Sequence, residues 1–418
     1  MLPPAGPPPQ AAPPTAQTPV ASEATLSEIS ALASRAGLTH IHMLAWRDLD
    51  DDEAGGSEVH AHSIAAIWAQ AGLDVTMRTS TAVGQPSTTR RAGYTVSRKA
   101  GRYGVFPRSA LAEISGRLGP CDALVEIWNG MPFMSPIWWR KPRVIWLHHV
   151  HGPMWGMSLP GPLAKLGVAL EERIAPRFYR HQPIVTLSPS SYDELVDDLG
   201  FSPSRVRVIP PGLNPFFTPG SQRSTSPLVV AVGRLVPVKD FPRLVRVMAI
   251  ARERVPDAQL VIVGEGYERE RIEAAVDECD GRDWVTLAGR VSDEELRDLY
   301  RRAWLAASVS VREGWGMTVT EAAACGTPAV ATDISGHADA IARDRSGLLR
   351  SDDAGLADAI ASVLTDADLR GRLQAGALAR AGELTWERTA LANFEELTAD
   401  ALRRQGRHAE AAELLAGA

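Results

Sequence analysis

The chain has 418 residues, 45% hydrophobic and 22% charged, too many for one ordinary core, so two domains are expected. A net charge of −6 argues against a nucleic-acid partner, and three scattered cysteines (Cys121, Cys279, Cys325) exclude a disulfide scaffold or a thiolate zinc site. There is no run of about 18 apolar residues and no basic-then-apolar leader, so a cytoplasmic protein without a spanning helix is expected.

Residues 1–22 are rich in proline and alanine and carry no charge, which predicts a disordered, extended tail. The first domain is expected over 23–215. Short apolar runs at 41–46, 73–77, 123–128, 143–149, 183–188 and 205–210 read as strands. Helices are expected at 57–71, 108–118, 162–178 and 191–199. A Pro/Gly/Ser-rich linker at 215–227 opens the second domain, 216–385. Its strands are expected at 228–233, 259–264, 285–289, 303–310 and 328–333. Its helices are expected at 241–254, 267–278, 292–302, 316–324 and 355–365, with 386–418 as a helical tail. This alternation implies an α/β protein of two tandem, doubly wound parallel sheets. Such sheets bind ligands beyond the carboxyl ends of their strands, so the cleft between the two is the expected site.

Four motifs fall at those strand ends. Gly55-Gly56-Ser57-Glu58 follows the first strand and opens a helix. Glycines there let backbone N–H groups approach an anion, although an ordinary capped turn uses the same residues. Gly233-Arg234-Leu-Val-Pro-Val-Lys239-Asp240 carries two cations suited to a diphosphate. Lys239 is one of only four lysines, with Lys99, Lys141 and Lys165, among 44 basic residues. Glu313-Gly314-Trp315-Gly316-Met317-Thr318-Val-Thr-Glu321 places two carboxylates eight residues apart around a helix start, where they can accept hydrogen bonds from sugar hydroxyls. The helix dipole accounts for an acid at Glu313 but not for one as deep as Glu321. Leu-His148-His149-Val-His151-Gly ends another strand, and its histidines lack the third-ligand pattern of a zinc site. Two weaker signals stand beside these. Gly264-Glu-Gly266 lacks the third glycine of a dinucleotide fingerprint, and the acidic run Asp48–Asp52 resembles a metal-binding Asp-x-Asp.

In order and spacing these motifs resemble the retaining glycosyltransferases of family 4, from about residue 40 to 395. The resemblance implies the GT-B fold, two Rossmann-like domains facing a central cleft. It implies a nucleotide-diphosphate sugar as co-substrate, no other cofactor, no metal, and retention at the transferred carbon. By position, Arg234 and Lys239 would hold the diphosphate and Glu321 the ribose. Glu313 and the backbone of Gly314–Met317 would hold the sugar, and Gly56 would approach the phosphate from the opposite domain. The family's strand-end histidine, six residues after a proline, lands on His148 after Pro142, with His149 and His151 as alternative registers. The remaining substrate-binding candidates are Gly55, Glu58, Gly233, Gly264, Gly266, Trp315 and Thr318. One departure stands out: the family's Gly-Gly-x-x-Glu reads Ser335-Gly336-His337-Ala338-Asp339. Epimerisation or hydrolysis of a nucleotide sugar on the same fold, and non-catalytic sugar binding, are the alternatives.

The acceptor implied is a carbohydrate, a lipid or a small molecule. Trp128, Trp138, Trp139, Trp146 and Trp155 crowd a short segment with Met131, Phe133, Met134, Met154 and Met157. They suit an acceptor wall, a peripheral contact with the inner face of a membrane, or plain core packing.

Overall fold

The computed structural model describes residues 18–417 apart from 52–53, 153, 159–160 and 221. Most of the expected tail, Asp52 of the acidic run and the side chain of Met157 lie outside the described residues. Residues 18–22 lie against the body. The Ala21 amide donates to Gln70 Oε1 at 3.2 Å, and Ser22 caps a helix, Glu23–Ala36, that the apolar pattern did not suggest.

The first sheet has eight strands: β1 (His40–Leu44), β2 (Asp74–Thr79), β3 (Thr88–Arg91), β4 (Tyr94–Arg98), β5 (Ala123–Trp128), β6 (Arg143–Leu147), β7 (Ile184–Thr186) and β8 (Val206–Val208). Their order is β3-β4-β2-β1-β5-β6-β7-β8, and only β3 runs antiparallel, at the edge. The second sheet has six parallel strands: β9 (Leu228–Val232), β10 (Gln259–Val263), β11 (Val285–Gly289), β12 (Leu305–Ser308), β13 (Ala329–Thr332) and β14 (Gly347–Arg350). Their order is β11-β10-β9-β12-β13-β14. Central strands such as β5 and β6 are buried along their whole length, because helices cover both faces of a parallel sheet. In each sheet the order reverses direction beside an early strand, β1 between β2 and β5, and β9 between β10 and β12. The crevices that open there take the loops carrying the motifs.

Three features depart from the sequence reading. The expected helix at 162–178 is broken into Gly161–Ala169, a wide turn Leu170–Ile174, and Pro176–Tyr179. Pro176 has no N–H to continue an α-helical ladder. The polar β3–β4 hairpin turns at Ala92-Gly93, both at positive φ, and carries too few apolar residues to read as strand. The third departure concerns 386–418, which is no appendage. Helix Trp386–Arg404 returns to the first domain, where Phe394, Leu397 and Ala401 share a core with Ile41, Trp68 and Val75. The Trp68 indole donates to the Ala390 carbonyl at 3.0 Å, and the Arg143 amide donates to Asp400 at 3.0 Å. The chain crosses between domains twice at one place, where Leu213 N donates to Leu384 O at 3.2 Å. Gly212 is needed there, since a Cβ would lie 2.3 Å from Trp386 N.

Candidate functional site

The second domain supplies three adjoining loops, after β9, β12 and β13. The loop after β9 carries Arg234, which is exposed, and Lys239, whose stem folds back over Gly233. Gly264 and Gly266 lie behind it. Cβ atoms there would meet Gly233 O at 1.9 Å and Leu235 O at 2.2 Å, so both glycines let the β10 loop pack against the β9 loop.

Lys239 Nζ donates to Glu313 Oε1, and Ser310 Oγ donates to the same oxygen at 2.7 Å. The two residues assigned separately to diphosphate and sugar therefore hold one another at the ends of β9 and β12. Burial alone would raise the Glu313 carboxyl, but Lys239, His337 and the hydrogen bonds bring it down to about 2. Gly316, at φ 102°, makes the left-handed turn that starts helix Met317–Ala324. Thr318 and Glu321 lie on that helix, and both are half-buried. Glu321 bonds to Tyr300 on the helix Asp293–Arg302. Burial raises its carboxyl to about 8, opposed by the Tyr300 hydroxyl, which donates at 3.3 Å. Trp315 does not line the cleft. Its side chain is buried among Leu187, Leu213, Ala377 and Leu384, which leaves only its backbone for a ligand.

The first domain faces these loops with the turn after β1 and the loop after β6. Gly56 sits directly opposite Met317, where a Cβ would approach Met317 Cγ to 3.0 Å. Glu58, expected to bind substrate, is instead committed to the fold. Its carboxylate accepts from the Gly55 amide at 2.8 Å and from Arg47 Nε at 3.3 Å. It shapes the glycine turn as a capping box. His148 is the strand-end histidine nearest the turn, with Nδ1 3.0 Å from Ser57 Oγ. Burial, then His60 and His149, hold its pKa well below the ordinary value, so the ring is neutral. His60 stands edge-on behind it at 4.8 Å. His149 and His151 stack at 4.7 Å, and a Cβ on Gly314 would lie 3.1 Å from His149 Nδ1. All three histidines thus line one wall, with His148 against the glycine turn and His149 against the Glu313 loop. The backbone of that wall is held by buried Glu171, which accepts from the amides of His151 (2.9 Å) and Gly152 (3.1 Å) and from the Trp155 indole (2.9 Å).

The acidic run is already occupied. Asp48 pairs with Arg98 and, at 3.2 Å, with His62, while Asp50 pairs with Arg98 at 2.7 Å and Arg91 at 2.5 Å. Asp48 and Asp50 thus serve arginines and a histidine. Asp339, the departure from the family pattern, accepts from the Ser190 hydroxyl and from its amide at 3.3 Å. With Arg312 on Glu194 at 2.6 Å, it bridges the two domains. Of the crowded tryptophans, Trp128, Trp139 and Trp146 are core residues, and Trp138 and Trp155 are half-buried. The motifs gave no sign of Ser310, Tyr300 or Glu171, and named His337 only within the Ser335–Asp339 departure. Ser57 was legible as part of its glycine turn.

Residues 216–380 match the family model for glycosyl transferases group 1, and 54–215 match that for Glycosyltransferase Family 4. A D-inositol 3-phosphate glycosyltransferase of Acidothermus cellulolyticus is 30% identical over 384 residues, 81% of this chain and 84% of that protein. A namesake from Stackebrandtia nassauensis is 35% identical over 228 residues, so the chain spans about half of it (52%). In structure the chain is similar to Anabaena Alr3699/HepE, solved in complex with UDP-glucose, with a TM-score of 0.67 at 17% identity over 91% of this chain and all of that one. Glycosyltransferase models thus match both halves of one GT-B frame, and the chain belongs to the GT-B glycosyltransferases.

Proposed function

We propose that the chain moves a hexose from a nucleoside-diphosphate sugar to an acceptor hydroxyl, with retention and without a metal ion. The Lys239–Glu313 pair carries this reading: a cation for the leaving diphosphate touches an acceptor for sugar hydroxyls. Arg234 and the start of helix Met317–Ala324 add positive potential where charge develops on the departing phosphate. Lone pairs of Asp48 and Asp50 are committed to arginines, which favours this fixed positive charge over a metal in the same role. Glu313 is held by Lys239 and Ser310 on the donor side, which favours a same-face displacement over attack by that carboxylate. In that step the bond from the anomeric carbon to phosphate oxygen breaks, and the acceptor oxygen bonds to that carbon on the same face. The acceptor proton passes to the departing phosphate oxygen. Neutral His148, held against the glycine turn by Ser57, orients a hydroxyl of the sugar or acceptor. UDP-glucose, named for the structural neighbour, is the first donor to try, and an inositol phosphate, named for the relatives, the first acceptor.

The test is product formation from UDP-glucose and other nucleoside-diphosphate hexoses, with and without EDTA, and the anomeric configuration of the product by NMR. Transfer with retention in EDTA is expected. An inverted product, or activity that EDTA abolishes and Mg²⁺ restores, overturns the mechanism. Sugar release without an acceptor product favours the hydrolase.

A further inference from the structure

The broken helical segment 161–180 packs only one side of itself against the first domain. Ala164, Gly167, Glu171, Ala175 and Tyr179 are buried there. Another side is apolar and faces water: Leu163, Leu166, Ile174 and Phe178 are 53%, 60%, 40% and 43% exposed. Leu163 and Leu166 share one face of the first helical piece, and Ile174 and Phe178, four apart, follow beyond the break. Ile137, 49% exposed, extends this apolar side from the neighbouring helix Ser135–Trp138. Single exposed leucines are ordinary, whereas a grouped set is a contact surface.

Charge selects the partner. Lys165, Arg173, Arg177 and Arg180 are all exposed on this segment, against one exposed acid, Glu172. Such a cationic edge is unusual on a chain whose net charge is −6. A depression of about 490 Å³ opens between Gly152, Gly156, Ala164, Lys165 and Arg173, large enough for an anionic headgroup. Among the described residues no helix is long and apolar enough to cross a membrane. We propose that segment 161–180 docks the first domain on an anionic lipid surface, with the leucines in the interface and the basic residues on headgroup phosphates. The contact centres on this segment, with Ile137 as the neighbouring contribution, since Trp128, Trp139 and Trp146 of the tryptophan-rich stretch are core.

The test is co-sedimentation of the full chain with phosphatidylglycerol/phosphatidylcholine vesicles and with pure phosphatidylcholine. Binding to the anionic vesicles alone, weakened by salt, is expected. Arg173→Gln with Arg177→Gln should lower partitioning about thirtyfold, and Leu163→Gln with Leu166→Gln about tenfold or more. All four positions are exposed, so melting temperature and nucleoside-diphosphate binding should stay unchanged, which separates this contact from the transferase reading. Equal binding by wild type and variants, or none by the wild type, overturns the proposal. A wild-type dimer that Leu163→Gln with Leu166→Gln converts to monomer also overturns it, making the apolar side an interface between copies.

Discussion

Two clusters of carboxylates and cations stand at strand ends on opposite sides of the cleft. Asp48 and Arg98, after β1 and on β4, are closed off completely, with side-chain exposures of 0% and 1%. Lys239 and Glu313, after β9 and β12, keep 18% and 15%. The attraction is the same in both, but the outcome is opposite. Asp48 commits its lone pairs to Arg98, His62 and the Leu49 amide, so the cluster is a rivet. Lys239 and Glu313 touch each other at an open edge, where a phosphate can replace one partner and a hydroxyl the other. Exchange at a partly solvated pair is cheap, whereas opening a buried pair strands a charge.

The sharpest way to break that comparison is to remove one carboxylate from each side. Asp48→Asn should cost about 3 kcal/mol of stability, because buried Arg98 keeps only Asp50 as a charged partner and His62 loses its own. Glu313→Gln should cost less than that, because Lys239 keeps access to solvent when its partner is neutralised. Urea unfolding measures both, and equal losses would mean that the two clusters are alike.

Activity should invert the ranking. Lys239→Ala should lower kcat/KM by about two to three orders of magnitude, the scale of losing one charge-stabilising donor, and should weaken nucleoside-diphosphate binding. Glu313→Gln should lower kcat more than it raises donor KM, with product binding nearly kept. Titration calorimetry with the nucleoside diphosphate decides: loss of binding in Glu313→Gln and retention in Lys239→Ala would reverse the two roles.

Glu321 sharpens the comparison, being a carboxylate with no cation. Its folded pKa, about 8 against 4.5, is raised, so its contribution to stability is complete below pH 4.5 and is lost as pH rises through about 8. Glu321→Gln should flatten that fall. Ribose hydroxyls donate best to the ionised form, so wild-type affinity for the nucleoside diphosphate should rise severalfold across the same upper range. Glu321→Gln should show a higher donor KM and no such rise. A wild-type affinity independent of pH would remove Glu321 from the ribose.

The smallest effect belongs to the chain's beginning. Deleting 1–17 should leave melting temperature and turnover unchanged. Extending the deletion through Ser22 removes a helix cap and its bond to Glu387 at 2.8 Å, at a cost of about 1 kcal/mol. An equal loss from both truncations would show that residues 1–17 also pack on the body.

Buried parallel strands were legible because each is a short, nearly continuous apolar run. β5 has the bounds that its residues suggest, and β9 and β10 each end one residue short of theirs. Two of the four edge strands were not: β3 is Thr-Thr-Arg-Arg, and β14 has only Leu348 and Leu349 to mark it. The same division runs through the site. Glycine turns, Lys239 and both glutamates announce themselves within local motifs. Tyr300 reaches Glu321 only because helix Asp293–Arg302 packs beside helix Met317–Ala324, and Lys239 reaches Glu313 only because β9 lies next to β12. Strand order creates these partners, and it has no local signature. Glu58 shows the converse, a carboxylate in a binding motif whose oxygens are both used by the fold.

The return of helix Trp386–Arg404 makes the second domain an insertion within the first. On a ribosome adding roughly 5–20 residues per second, the first sheet emerges ten seconds or more before the helix that closes its core. The second domain, continuous in sequence, is complete by then. Folding during synthesis should therefore run from the middle of the chain outward, and a fragment cut at 215 should be insoluble where 216–385 is not.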